Sequence, residues 1–381
     1  MKSSFEILNV FGSMIRKNDK TKTKQTIRTA ALICASILFI TACDVCEPIK
    51  PAKYESEIYF SAMPLTESVP SIYGIDAQGA DLREIIKNGV LCSAPAINGN
   101  FAFIREEAGS TSLMIYEGED AGVKKVQLGE AYKNPGDAVI SAKGNYLAFT
   151  AEHLGDRVLV LQDNSIGAVQ KEVSQKYLLG SGFAFSPDNE YLAFFEEDPG
   201  IILKIIHTDD LAVKETNFYP AGSVKLSSEA RVEWSQDSQW ITYTLNEEDE
   251  DQIYVRSLNG TIGRKYTAKK FGALHPVFAQ DETDLCCSGR LGHIHRYDVA
   301  TDTTRRYYLV KADTSFEMNK YPRWSSEGED KVIYSCYPKH NTEGKFSAVL
   351  KIVSDVYNTD YEKMRHRVLC SNVYKAFWRR K

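Results

Sequence analysis

FSPDNEYLAF at 185–194 and WSQDSQWITY at 234–243 follow one plan: a bulky aromatic, a polar tight turn, then a run of strand formers. Asp188 and Asp237 sit where a carboxylate bonds its own backbone two residues on, and Pro187 presets φ for the turn. Four more segments fall in register with these two: AINGNFAF (96–103), ISAKGNYLAF (140–149), FAQDETDLCC (278–287) and WSSEGEDKVIY (324–334). The turn positions Asn98, Lys143, Asp188, Asp237, Asp281 and Glu327 are 45, 45, 49, 44 and 46 residues apart. A period this regular, at this length, marks a solenoid or a propeller.

The remainder of each repeat is strand-like as well. A third strand recurs as SLMIYEGED (112–120), RVLVLQDN (157–164), ILKIIHTDD (202–210), QIYVRSLNG (252–260), HIHRYDVAT (293–301) and AVLKIVSDV (348–356). A shorter fourth follows, as in KKVQL (124–128) and TRRYYLV (304–310). Four short strands per repeat predict the blade of an all-β propeller. Parallel βαβ units are excluded, because no amphipathic helical stretch separates the strands. The leading Phe185, Trp234, Phe278 and Trp324 are expected to fill the gaps between neighbouring blades.

These segments resemble the WD40-like repeats of the TolB propeller family, in which an aromatic-Ser-Pro-Asp-Gly turn precedes an Ile-Ala-Phe-like strand. FSPDNEYLAF and WSQDSQWITY carry the resemblance best; it extends over residues 54–381. It implies a fold and leaves function open, since such propellers serve many roles. TolB itself carries an α/β domain before its propeller, whereas here the strand IYFSA begins at residue 58. A direct TolB role is therefore not expected.

Six turn motifs account for six blades, and a seventh set of strands is left in two pieces. IYFSA (58–62), SIYGID (71–76) and LREII (82–86) read as strands two, three and four without a strand one. NVYKAFW (372–378) reads as a strand one with nothing after it, and Trp378 lies 54 residues beyond Trp324. The expectation is a single propeller, seven-bladed with six as the alternative, closed by pairing its amino- and carboxyl-terminal strands. Closure would remove two exposed edges, which are otherwise an aggregation hazard.

Residues 1–28 hold seven Lys or Arg against Glu6 and Asp19, and the apolar run TAALICASILFITAC follows at 29–43. That run is short for a spanning helix, which needs about 20 apolar residues. A basic stretch, a short apolar stretch and a small-residue end read as a secretory signal. Met14 would give that leader a more usual length. Ile40-Thr41-Ala42-Cys43 resembles the lipobox of bacterial lipoproteins. The resemblance implies a diacylglycerol on the Cys43 thiol, further fatty acylation of the palmitate type, and cleavage before Cys43. The expected organisation is a signal over 1–42, a lipidated tether over 43–53 and the propeller over 54–381. The anchor would hold the chain to a membrane of the cell envelope, the outer one in preference to the inner.

Removing residues 1–42 from the totals of 46 Lys+Arg and 51 Asp+Glu leaves 39 and 49, a net charge of about −10. That balance excludes a nucleic-acid partner, which needs a basic footprint. Cys46, Cys92, Cys286, Cys287, Cys336 and Cys370 show no disulfide-framework spacing and read as small core residues in strands, with one disulfide left open. On a strand, Cys286 and Cys287 would face opposite sides.

No nucleophile elbow, P-loop, dinucleotide fingerprint or H-E-x-x-H pattern is present, and no cofactor is expected. His275, His293 and His295 form the sharpest catalytic or metal candidate, but all three fall in one repeat, so convergence on a channel is not expected. A second constellation comes from strand alternation, which brings all loops between second and third strands out on one face. Those loops hold Glu106 and Glu107, then Glu152, then Glu196, Glu197 and Asp198, then Glu247, Glu248, Asp249, Glu250 and Asp251. Acids on hairpins serve solubility; in an arc over four blades they also suit a basic protein partner. The expected function is a non-catalytic protein-interaction or scaffold propeller on a lipid anchor. The alternative is an enzyme or binding protein acting on glycans or acidic oligosaccharides.

Overall fold

The repeated turns fold as their side chains dictate. In the computed structural model, Ser186 Oγ donates to the Asp188 carboxylate and accepts from the Tyr191 amide at 2.9 Å. Asp188 Oδ1 accepts the Glu190 amide at 3.0 Å. Ser235 and Asp237 repeat the pattern, with Trp240 N donating to Ser235 Oγ and Gln239 N to Asp237 Oδ1, both at 2.8 Å. Each turn passes through the left-handed region, at Gly144 (φ 80°), Asn189 (φ 70°) and Ser238 (φ 62°), where glycine and asparagine carry the least strain. Neighbouring turns also latch together. The Lys143 amide donates to Asn189 Oδ1 at 3.2 Å, and the Asp188 amide to Ser238 Oγ at 3.1 Å.

The structure describes residues 57–63, 67–107, 109–165, 167–177, 182–227, 231–260, 263–265, 272–279, 284–298, 306–312, 317–325, 330–338, 348–357 and 363–380. The anticipated turn positions Asp281 and Glu327, and the lipobox at Cys43, lie outside them. Ser56–Lys381 forms one compact unit. Its described strands make six antiparallel sheets, one of which has seven strands.

The larger sheet shows how the chain closes. Arg365–Trp378 is a single 14-residue strand. Its first part pairs with Ala348–Ser354 and its last part with Ile58–Ala62, in the register Ile58↔Trp378 to Ala62↔Val373. The terminal strands therefore pair, as expected. The difference lies upstream: the expected strand one at 372–378 is the continuation of the preceding repeat's fourth strand. Dividing the sheet there leaves seven units among the described strands, six of four strands and one of five, in which Lys225–Leu226 also pairs with Trp240–Glu247. The first comprises the end of Arg365–Trp378 with Ile58–Ala62, Ser71–Ile75 and Arg83–Ile86. The unit with Val90–Leu91 is second, that with Ala138–Ile140 third, and that with Phe183–Phe185 fourth. Val232–Trp234 opens the fifth, Ala273–Phe278 the sixth and Glu317–Trp324 the seventh.

Every strand alternates its side chains between two faces, so each unit packs against both neighbours. The buried apolar residues accordingly separate into clusters that each bridge consecutive units. Phe149 and Leu113 join the second and third units, and Phe195 and Trp234 the fourth and fifth. Cys287 packs between the fifth and sixth units and Cys286 between the sixth and seventh, on opposite faces of one strand. The last cluster joins Ile333 and Leu350 of the seventh unit to Phe60 and Trp378 of the first. Each buried aromatic or aliphatic side chain contributes about 1.5–3 kcal/mol. No unit holds a sealed core of its own.

The leading tryptophans wedge these interfaces. Trp234 Nε1 donates to the Ala184 carbonyl at 3.0 Å, and Trp378 Nε1 donates to the Arg323 carbonyl at 3.0 Å. Each indole thus ties its unit to the one before it, and the Trp378 bond does so across the closure. Third strands end earlier than their sequence runs suggest. Ser110–Tyr116 stops before EGED because Glu117–Gly122 turns there, the Glu117 amide donating to the Gly122 carbonyl at 2.9 Å.

Candidate functional site

The residue before the leading position of each repeat, which is aromatic in five and Pro95 or Ile140 in the other two, borders a common central space. Ala94, Val139, Ala184, Glu233, Val277, Arg323 and Phe377 occupy that position, one from each unit, and all line one cavity of about 230 Å³. Two of the seven are charged. Arg323 Nη2 meets Glu233 Oε1 at 2.9 Å, with the side chains 11% and 28% exposed. The pair reaches from the seventh unit to the fifth, past the short Val277 of the sixth. The Arg323 guanidinium also lies 5.7 Å from the Phe377 ring centroid, at cation–π distance.

Three further arginines line the same cavity. Arg231 shares a strand face with Glu233 and lies 5.5 Å from the Tyr321 ring centroid. Arg379 and Arg380 follow the closing strand. Arg379 Nη2 donates to the Ile97 carbonyl at 3.1 Å and Arg380 Nη1 to the Ile140 carbonyl at 2.8 Å. The carboxyl-terminal segment thus reaches the second and third units from the first. Burial lowers the Arg323 pKa, Glu233 raises it and the Arg231 charge lowers it. Burial brings Arg380 down to about 10, with Glu233 opposing, so Arg380 stays protonated at neutral pH. Arg323 Nη1 is buried without a hydrogen-bond partner, an arrangement that costs about 1–3 kcal/mol for a polar group and more for a charged one.

The acidic hairpins are where strand alternation places them. Glu107 pairs with Ser110, Glu152 with Arg157, Glu197 with Ile201, and Glu247 with Glu250, each in the hairpin joining second to third strand of consecutive units. Their acids differ in surroundings. Glu106, Glu107, Glu197, Asp198, Glu248 and Asp249 are exposed, Glu152, Glu247, Glu250 and Asp251 are half-buried, and Glu196 is buried. Several engage groups of their own chain. Glu196 meets Lys204 at 2.7 Å, Glu152 accepts from Asn134 at 2.7 Å, and Asp251 accepts from Asn246 at 3.2 Å. Glu247 accepts from Tyr254 and Lys265, and Asp198 from Lys176. The exposed Lys225–Asp249 pair at 3.3 Å contributes little.

The histidines are packed into the sixth unit. His275 is fully buried on a bulged strand with φ 53°, its Nδ1 2.8 Å from Ser288 Oγ and its ring 4.3 Å from Tyr321. His293 Nδ1 accepts the Ala312 amide at 3.0 Å, and His295 is buried beside Tyr308. Among the described residues, no three His, Cys, Asp or Glu side chains are set to hold a metal ion. Sequence reading singled out these histidines and the acidic hairpins but not Arg231, Glu233, Arg323 or Arg380. The signal was present in RVEW and YPRW, where charges precede the leading tryptophan.

No known family profile and no curated protein matches the sequence. Solved structures do. Oligogalacturonate lyase in complex with manganese superposes with a TM-score of 0.51 at 12% identity, covering 74% of this chain and 77% of that one. A chain of a mitotic checkpoint complex gives 0.50 at 11% identity, covering 72% and 74%. This chain has a β-propeller fold. TolB from Acinetobacter baumannii is also similar, with a TM-score of 0.47 at 15% identity, covering 82% of this chain and 79% of that one. At such identities the likeness extends to the fold and to nothing finer.

Proposed function

We propose that this chain is a non-catalytic interaction propeller, tethered by a lipid on Cys43 to a membrane of a bacterial cell envelope, with its acidic hairpins facing a basic protein partner. The observation that carries this reading is the succession of acids on one side of four consecutive units, where Glu106, Glu107, Glu197, Asp198, Glu248 and Asp249 are exposed. Exposed acids on rigid hairpins create a directional field that speeds and orients encounter with a basic surface. The propeller is read as seven-bladed, since units of four or five strands alternate with interface clusters when Arg365–Trp378 is divided.

The test replaces those six exposed acids by Gln or Asn and leaves Glu196 and Glu247, which have partners within the chain, in place. Cross-linking in the native host, followed by capture at rising salt, should recover a basic envelope protein with the wild type and much less of it with the variant. Equal recovery at every salt concentration would reduce the hairpins to solvated surface.

A further inference from the structure

We infer that the arginine-lined centre is a binding site for a small oxyanion, a phosphate or a carboxylate group, independent of the acidic hairpins. The site is built by parts of the chain far apart in sequence. Arg231 and Glu233 come from the fifth unit, Arg323 from the seventh, and Arg380 from the segment after the closing strand, all lining one cavity of about 230 Å³. That volume takes an acidic headgroup or a small acid, and lies below the about 300–1,000 Å³ of drug-sized pockets.

Charge is what singles it out. The chain is acidic overall, with a formal net charge of −5, yet among the described residues that line the cavity Glu233 is the one acid. Glu233 is bonded to Arg323 at 2.9 Å, and it is also the acid whose charge acts on Arg380. Among the described residues lining this recessed space, one carboxylate stands beside four guanidinium groups. Buried cations without counter-charge are costly, so a bound anion would relieve the site. Arg323 supplies a donor for it, since its Nη1 is buried and has no hydrogen-bond partner. Guanidinium forks match the paired oxygens of phosphate and carboxylate.

Glu233 makes the inference sharp. It holds Arg323 in place of the ligand, so it competes with any incoming anion. Removing its charge should therefore strengthen binding, which a purely structural ion pair would not do. The probes are inorganic phosphate and succinate, titrated calorimetrically into the full-length protein in detergent, with sodium chloride matching ionic strength. Wild type is expected to bind at least one probe saturably at millimolar concentration or tighter. Binding of phosphate alone would assign a phosphate site, and binding of succinate alone a carboxylate site. Glu233→Gln should tighten binding at least threefold, while Arg231→Gln and Arg323→Gln each weaken it at least tenfold. Arg323→Gln leaves Glu233 unpaired, so Arg323→Gln/Glu233→Gln guards against misfolding: it should melt near wild type and still fail to bind. Heat no greater than the chloride control for both wild type and Glu233→Gln would overturn the inference, leaving the arginines as struts. Binding indifferent to Arg231 and Arg323 would overturn it equally, by placing the anion elsewhere.

Discussion

Trp378→Ala is the most direct probe of how the ring is held. The side chain is 7% exposed and packs with Ile58, Phe60, Ile333 and Leu350, so its removal opens a cavity between the first and seventh units. A buried Trp→Ala change costs about 3–5 kcal/mol, and the lost indole bond to the Arg323 carbonyl adds about 1 kcal/mol. Unfolding entropy of about 2.1 cal/mol/K per residue gives roughly 0.7 kcal/mol/K for a body of this size, so the melting temperature should fall by about 6–9 °C. Trp234→Ala is the internal standard, because that indole is 8% exposed and makes the same 3.0 Å bond, to Ala184, inside the ring. Differential scanning calorimetry of the two variants beside wild type makes the comparison. Closure predicts losses of similar size. A Trp378→Ala protein melting within about 1 °C of wild type, beside a Trp234→Ala protein that loses the full amount, would refute the reasoning and make the carboxyl-terminal strand a loose tail.

Deleting 371–381 removes the strand that pairs with Ile58–Ala62, and limited proteolysis should find the truncated protein cleaved far faster than the intact one. Cys43→Ala should abolish incorporation of labelled fatty acid and release the body from membranes, while its circular dichroism stays unchanged. Glu247→Gln should cost about 0.5–1.5 kcal/mol in urea melts, since its carboxylate accepts from Tyr254 and Lys265; Glu248→Gln, on an exposed residue, should cost almost nothing. Burial and the bond to Asp209 raise the Tyr146 pKa to about 12. A raised phenol pKa means stability present below pH 10 and lost as pH climbs towards 12, and Tyr146→Phe should flatten that part of the urea-stability curve.

The fold was legible because its determinants are local and repeated. A polar tight turn followed by an apolar strand specifies a hairpin, and six such segments at nearly constant spacing, two of them with Ser-x-Asp, leave little choice of architecture. Even the terminal pairing could be read, since strands two to four at one end and an aromatic-rich strand at the other were each incomplete alone. Strand boundaries were less legible. Between residues 365 and 378 one unit's fourth strand becomes the next unit's first within a single strand, the changeover marked only by Asn372 at φ 58°. The acids fall in hairpins between second and third strands, but Lys204 beside Glu196 and Lys265 beside Glu247 arrive through cross-strand neighbours that spacing alone does not reveal.

The channel chemistry was hidden for a deeper reason. The residue before the leading position of each repeat borders the cavity as well as an interface, and Ala, Val, Phe, Glu and Arg all occur there. In a linear reading such variety looks like an unimportant strand residue. Its meaning arises only when the ring brings Glu233 and Arg323 to 2.9 Å, although ninety residues separate them in sequence. Arg380 joins them only because the closing strand ends there, turning what reads as a basic tail into part of the cavity wall. Stacking the repeats and reading that single column is the step that exposes the site, and the column holds one acid and one arginine within an otherwise apolar ring.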